Sequence, residues 1–183
     1  LGRIAYFRPD TLPVGALPEL VVTRTYAQRE FPFVFTNGVQ ASYVEVDTET
    51  GFVKLLKHWA VEDCGRIINP LLVDEQMRGA IVQGIGGVLF EECLYDDSAL
   101  LRNGSMADYL VPMASEMPDI EIGHVETPTM TSALGAKGAG EAGTAGAPAA
   151  VMNAINDALC PFSARVTSQP ITPEKILRAL GVI

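Results

Sequence analysis

Positive charge, histidine and cysteine are all scarce in this chain, and each scarcity argues against a class of function. Thirteen Lys and Arg stand against 22 Asp and Glu, a net charge of -9. The basic residues are scattered, mostly singly, so the sequence encodes no stripe for neutralising phosphates and argues against a nucleic-acid partner. Proteins or small molecules are the expected partners. The two histidines, His58 and His124, lie in expected strands with no metal-ligand spacing between them, and no metal site is expected from side chains of this chain. Cys64, Cys93 and Cys160 are odd in number and widely spaced, which fits neither a disulfide framework nor a zinc knuckle. Free thiols in a reducing, cytoplasmic setting are the expectation. No apolar run approaches the roughly 20 residues that cross a bilayer, no signal-peptide pattern opens the chain, and no internal repeat is present. Leu1 is not an initiator methionine, so a piece of a longer protein is expected.

What remains is apolar and glycine-rich. At 183 residues, 48% hydrophobic and 19% charged, the chain can bury a core and is no disordered polymer. Its focal stretch is Gly135-Ala136-Lys137-Gly138-Ala139-Gly140-Glu141-Ala142-Gly143, with four glycines and three alanines. So little side-chain bulk lets a backbone press against a ligand, and only Lys137 and Glu141 carry chemistry. Pro148 suits a first helical turn, so a buried helix is expected over 149–159, its N-terminus facing the loop in a way that favours an anion.

Three readings of the loop compete. It can be a tight turn before a helix. Gly138, Gly140 and Gly143 satisfy G-x-G-x-x-G, but Thr127 to Leu134 contains Pro128 and makes a poor strand where a dinucleotide fold needs one; a Walker loop fails because Gly138 follows Lys137. In the third reading the loop is catalytic, with Glu141 a base among small, desolvating neighbours and Lys137 meeting a phosphate or a carboxylate.

Along the chain, Leu1 to Thr36 is rich in Pro and Gly and is expected to be an extended arm, with a strand over Leu20 to Thr25. Val39 to Thr48 and Phe52 to Val61 form a hairpin about Glu49-Thr50-Gly51, and the alternation of Val44 and Val46 with Glu45 and Asp47 predicts one covered face. Asn69-Pro70 opens a long helix over 71–92 whose buried face carries Val73, Met77, Ala80, Ile81, Gly84, Val88 and Leu89. Its glycines 79, 84, 86 and 87 each cost about 1 kcal/mol relative to Ala, which points to close approach of another backbone or a cofactor. Gln76 and Gln83 share one face, by default a solvated one. Leu94 to Gly104 is a short hairpin or loop, Ile120 to Val125 a strand, and Thr172-Pro173 the start of a last helix ending near Gly181.

Asn37-Gly38, Val44-Glu45-Val46-Asp47 with Thr50-Gly51, Asp63-Cys64-Gly65 with Asn69-Pro70, Gln76 with Gln83-Gly84-Ile85-Gly86, Asp108-Tyr109 with Pro112, and the glycine loop follow one another in this order. The set resembles the C-terminal part of the molybdopterin-binding large subunit of the xanthine dehydrogenase, aldehyde oxidase and aerobic carbon monoxide dehydrogenase family, over roughly 33–159. The resemblance implies an α+β segment, a β-hairpin layer against two long glycine-bearing helices, within the second molybdenum-cofactor-binding domain, with residues 1–36 an arm and 37–183 the domain portion. It implies oxidative hydroxylation of an aldehyde or N-heterocycle with water as the oxygen source. By the same matching Glu141 is the base for the molybdenum-bound hydroxyl. Gln76 corresponds to a glutamine that hydrogen-bonds the pterin, here a molybdopterin cytosine dinucleotide, Gly138 and Gly140 border the cofactor, and Lys137 meets either the cofactor or a structural carboxylate. Glu75 departs from the pattern, in which Gly commonly precedes that glutamine. The upstream half of the molybdenum subunit, and iron–sulfur (2Fe–2S) and FAD-bearing domains or subunits, are implied partners. Without them the chain is expected to be inactive. The rival from another class is a scaffold or interaction domain that has lost the chemistry.

Overall fold

The computed structural model describes residues 2–26 and 33–183. Two compact units divide the chain, Leu1–Pro32 and Phe33–Ile183.

The first unit holds helix α1 (Gly2–Phe7) and a 3-10 turn at Pro9–Thr11. The strand expected over Leu20 to Thr25 does not form: its residues have no ladder partner among the described residues, and a strand is defined by its pairing rather than by its side chains.

The second unit is an α+β arrangement around a three-stranded sheet in the order β1-β2-β3. Strands β1 (Asn37–Val46) and β2 (Val53–Asp63) form the expected antiparallel hairpin. Its turn is set by Asp47, whose carboxylate accepts from Glu49 N and Thr50 N (2.8 and 3.3 Å), and by Gly51 at φ +75°. Tyr43 pairs with Lys57 and Val44 with Leu55, so Leu56 is an extra residue, a bulge in β2. Gln40, Ser42, Val44 and Val46 face inward while Val39, Ala41, Tyr43 and Glu45 are exposed, the single covered face that the alternation predicts. Strand β3 (Asp119–His124) joins the other side of β2 in parallel, and the long crossover that a parallel pair requires carries helix α2 (Pro70–Leu89).

Helix α2 begins where its signals place it: Asn69 Oδ1 accepts from Leu72 N (3.4 Å) and Pro70 fills the first turn. Helix α3 does not. It runs Ala142–Leu159, starting inside the glycine loop, and Pro148 lies in its interior rather than in its first turn. The physical reason is packing. Pro148 has no N–H for the Thr144 carbonyl, and that carbonyl lies against Gly84 of α2, where a Cβ would meet Ala147 Cβ at 2.9 Å, Pro148 Cδ at 3.0 Å and Thr144 O at 3.1 Å. Gly143 repeats the device from the other side, since a Cβ there would stand 2.7 Å from Met77 O and 2.9 Å from Ile81 N. Helix glycine thus marks close backbone approach at Gly84, whereas Gly79 and Gly87 face open space.

Helix α3 touches both β1 and α2. Its Ala147, Val151, Ile155 and Leu159, four apart and therefore in one stripe, meet Met77, Ile81, Ile85 and Val88 of α2 and Leu55, Ala60 and Ile120 of the sheet. Helix α4 (Pro173–Ala179), capped as expected by Thr172 Oγ1 accepting from Lys175 N (3.3 Å), closes the core with Ile176.

Candidate functional site

The glycine loop is fastened to the end of β2. Asp63 Oδ1 accepts from Gly65 N (2.9 Å) and Thr127 N (3.1 Å), and its Oδ2 accepts from the Thr127 hydroxyl and from Lys137 Nζ (3.0 Å). Lys137 Nζ also reaches Thr127 Oγ1 at 2.6 Å. The Thr127 hydroxyl first, then the backbone amides and the ammonium, hold the Asp63 carboxyl well below the usual range. Backbone bonds complete the clamp: Lys137 N donates to Cys64 O (2.7 Å) and Arg66 N to Gly135 O (3.0 Å). Gly65, at φ +68°, would place a Cβ 2.4 Å from Gly135 O, so the Asp63-Cys64-Gly65 run is the seat of the loop. Of the two partners open to Lys137, a phosphate or a carboxylate, its ammonium here meets a carboxylate.

Beyond the clamp the loop turns outward and lines a cleft of about 550 Å³. One side is Val34 to Gly38 with Gln40 and Glu62; the other is Gly138 to Ala142 with the first turns of α3. Glu141 is the residue preceding α3, and its side chain makes no cap bond. It is exposed, so within this chain it is not a desolvated carboxylate: its neighbours Gly140 and Ala142 are too small to cover it. It does border the concave surface. Gly140 offers the cleft a bare backbone, since a Cβ there would meet nothing within 4 Å, and one at Gly138 only Val34 O at 3.9 Å. Gln76 reaches over from α2, its Nε2 donating to Gly140 O at 2.9 Å; Gln83, on the same face, stays exposed. The fold therefore brings Gln76, Gly138, Gly140 and Glu141 to one rim, with Lys137 anchored behind it.

Beneath the rim lies a polar chain that sequence reasoning missed. His58, with no exposed surface, has Nδ1 2.8 Å from Ser42 Oγ and Nε2 3.1 Å from Gln40 Oε1. Gln40 Nε2 donates to Glu62 Oε1 (3.2 Å) and to Gly143 O (3.0 Å). Burial lowers the His58 pKa to about 4 and raises that of Glu62. The only local signals were small residues that leave room: a Cβ at Gly38 would collide with the Glu62 carboxyl and one at Gly146 with the Gln40 amide. His124 is bound differently, Nε2 to Asp74 Oδ1 at 2.6 Å.

A family profile described as the molybdopterin cofactor-binding domain matches residues 4–118, most of the chain. The chain belongs to that family. The match begins within the first unit, so the molybdopterin-domain resemblance extends upstream of the motifs that first carried it. The nicotine 6-hydroxylase large subunit of Paenarthrobacter nicotinovorans is 47% identical over the whole chain, which corresponds to 22% of that protein. The aldehyde oxidoreductase molybdenum-binding subunit of Escherichia coli K12 is 37% identical over 75% of the chain and 19% of its own length. Among solved structures, quinoline 2-oxidoreductase from Pseudomonas putida 86 superposes with a TM-score of 0.81 at 43% identity, over 97% of this chain and 22% of that one. The chain thus spans about a fifth of the length of these molybdopterin-domain relatives, which are oxidoreductases and hydroxylases by name. No helix among the described residues is long and apolar enough to cross a membrane.

Proposed function

We propose that this chain forms one wall of the active site of a molybdenum hydroxylase and that Glu141 is its general base. One observation carries the reading: a carboxylate with no cap bond, and no ion partner among the described residues, stands on the lip of a cleft, beside bare glycine backbone that Gln76 holds in place.

The residues present fit a pterin-bound molybdenum. Gly138 and Gly140 leave their cleft side open to a flat ligand. Gln76 is exposed and uses one donor on Gly140 O, which leaves a carbonyl and a second N–H for a heterocycle edge. When bound, the cofactor supplies two-electron oxidation of the substrate carbon. Glu141 takes up the proton released as the water-derived oxygen attacks, and Gly138 and Gly140 admit the cofactor close to the backbone. Lys137, held on Asp63, keeps the loop in register with β2. A second wall from the remainder of the subunit removes water from Glu141 and strengthens it as a base. We further assign the cytosine dinucleotide form of the cofactor, and electron transfer through iron–sulfur and flavin partners. The substrate is an aldehyde or N-heterocycle, and the names of the nicotine and quinoline relatives favour the heterocycle.

The test is Glu141→Gln in the complete, molybdenum-loaded enzyme. Loss of a general base lowers kcat about 10²–10⁴-fold, with molybdenum content unchanged. Full turnover by the variant would remove Glu141 from the chemistry and leave the scaffold alternative.

A further inference from the structure

We propose that Gln40 is a positioning residue for Glu141, fixing the first turn of α3 from below and so setting where the carboxylate stands. This rests on the assignment of Glu141 as the base.

The orientation of the Gln40 amide is dictated by its neighbours. Gly143 O lies 3.0 Å and Ala142 O 3.5 Å from Nε2, and carbonyl oxygens only accept, so the nitrogen faces α3. Its second hydrogen goes to Glu62 Oε1 at 3.2 Å. The amide oxygen then faces His58 Nε2 at 3.1 Å, which must donate, and His58 Nδ1 must accept from the Ser42 hydroxyl at 2.8 Å. Every hydrogen-bonding position of the Gln40 carboxamide that faces the protein is filled, and one tautomer of one neutral imidazole is selected. A polar chain with two buried members, His58 and Glu62, resists rearrangement because breaking a link leaves a buried group unpaired in a medium of low dielectric. Burial keeps His58 uncharged, consistent with that tautomer.

The chain ends on the carbonyls of Ala142 and Gly143, one and two residues beyond Glu141. The same turn has no side-chain cap of its own. From above, α2 grips it through Gly143 and through Thr144 Oγ1, which donates to Ala80 O at 2.9 Å. Gln40 is the opposing grip from β1, bonding the turn from the sheet side while also lining the cleft that Glu141 borders. A cleft residue with a carboxamide at this place would otherwise be read as a ligand contact; one of its N–H groups is committed to the backbone that carries the base and the other to Glu62.

The experiment compares Gln40→Met, which keeps length and removes both donors, with Glu141→Gln and with the double variant in the full molybdenum-loaded complex. Gln40→Asn, one methylene short of Gly143 O, serves as a second variant should the first fail to assemble. Expected for either Gln40 variant is a fall in kcat of about 10–100-fold, the penalty of a misplaced catalytic group, with KM within about twofold. Hydrogen exchange across residues 140–146 rises while that of 80–88 does not, and molybdenum content is unchanged. On the Glu141→Gln background, Gln40→Met brings no further loss. Equal fractional losses in both backgrounds, or normal kcat and normal exchange in Gln40→Met while Glu141→Gln is inactive, overturn the positioning role alone. Full turnover in Glu141→Gln overturns the assignment of the base and the positioning role with it.

Discussion

Four glycines of the two long helices receive opposite predictions for one chemical change. A methyl added at Gly143 would stand 2.7 Å from Met77 O, 2.9 Å from Ala80 Cβ and 2.9 Å from Ile81 N. Two of these are backbone atoms of α2 that no rotamer change can move, so α2 and α3 must separate. Overpacking of this kind costs about 1–3 kcal/mol, and the helix gains up to about 1 kcal/mol from losing glycine. Gly143 lies in the first turn, where that gain is small, so the net loss is about 1–2 kcal/mol. Gly84→Ala meets three atoms at 2.9–3.1 Å and goes the same way. Gly79 and Gly87 have nothing within 4 Å of an added Cβ, so there the change stabilises by about 0.5–1 kcal/mol. For a domain of this size 1 kcal/mol moves Tm by about 2–4 °C. Gly143→Ala therefore melts about 2–8 °C lower, and Gly87→Ala about 1–4 °C higher, in thermal scans of the 183-residue chain. Shifts of the same sign at Gly143 and Gly87 would refute the account of the helix crossing.

Burial carries His58 from its ordinary 6.5 to about 4. The unfolded chain therefore binds more protons between those values, and stability falls as pH drops through that window, by about 3 kcal/mol in total. The raised Glu62 carboxyl acts with the opposite sign, its contribution lost as pH rises, so the measurement is wild type minus His58→Gln in urea titrations at pH 4 to 7. A difference that does not change with pH removes His58 as the source. Asn156 ties the segment after α3 back to the helix, donating to Met152 O (3.0 Å) and Val166 O (2.9 Å) and accepting from Val166 N (2.9 Å). Asn156→Ala leaves the Val166 backbone unpaired and lowers stability by about 2 kcal/mol, read as a lower urea midpoint at constant m.

Elements that announce themselves with a capping or turn residue were legible. Asn69-Pro70, Thr172-Pro173 and Glu49-Thr50-Gly51 are such signals, and α2, α4 and the hairpin form where they say. The parallel addition of β3 to β2 was not readable, because its partner lies some 60 residues away and nothing in Asp119 to His124 encodes that register. Helix α1 was hidden by the Pro and Gly content of its surroundings. In the site, Glu141 and the glycines stand out through composition, and Gln76 only through the family resemblance. Gln40, Ser42, His58 and Glu62 do not, because alternate polar residues in a hairpin look like its solvated face until the packing of α3 shows that this face is the covered one.

The misplaced start of α3 explains why the site can exist at all. Pro148 reads as a first-turn residue because an interior proline loses a hydrogen bond and crowds the carbonyl four residues back. Here that carbonyl, Thr144 O, is turned toward Gly84, and only a glycine on α2 leaves it the space. With the proline accommodated there, the helix continues backward for six more residues and ends at Glu141, over the cleft, instead of near Pro148. Gly84, Gly143 and Thr144 hold the added turn on α2, Gln40 holds it on β1, and Asp63 with Lys137 anchors the loop that precedes it. The carboxylate is therefore located by three elements far apart in sequence, and a substitution at any of these contacts acts on Glu141 without touching it.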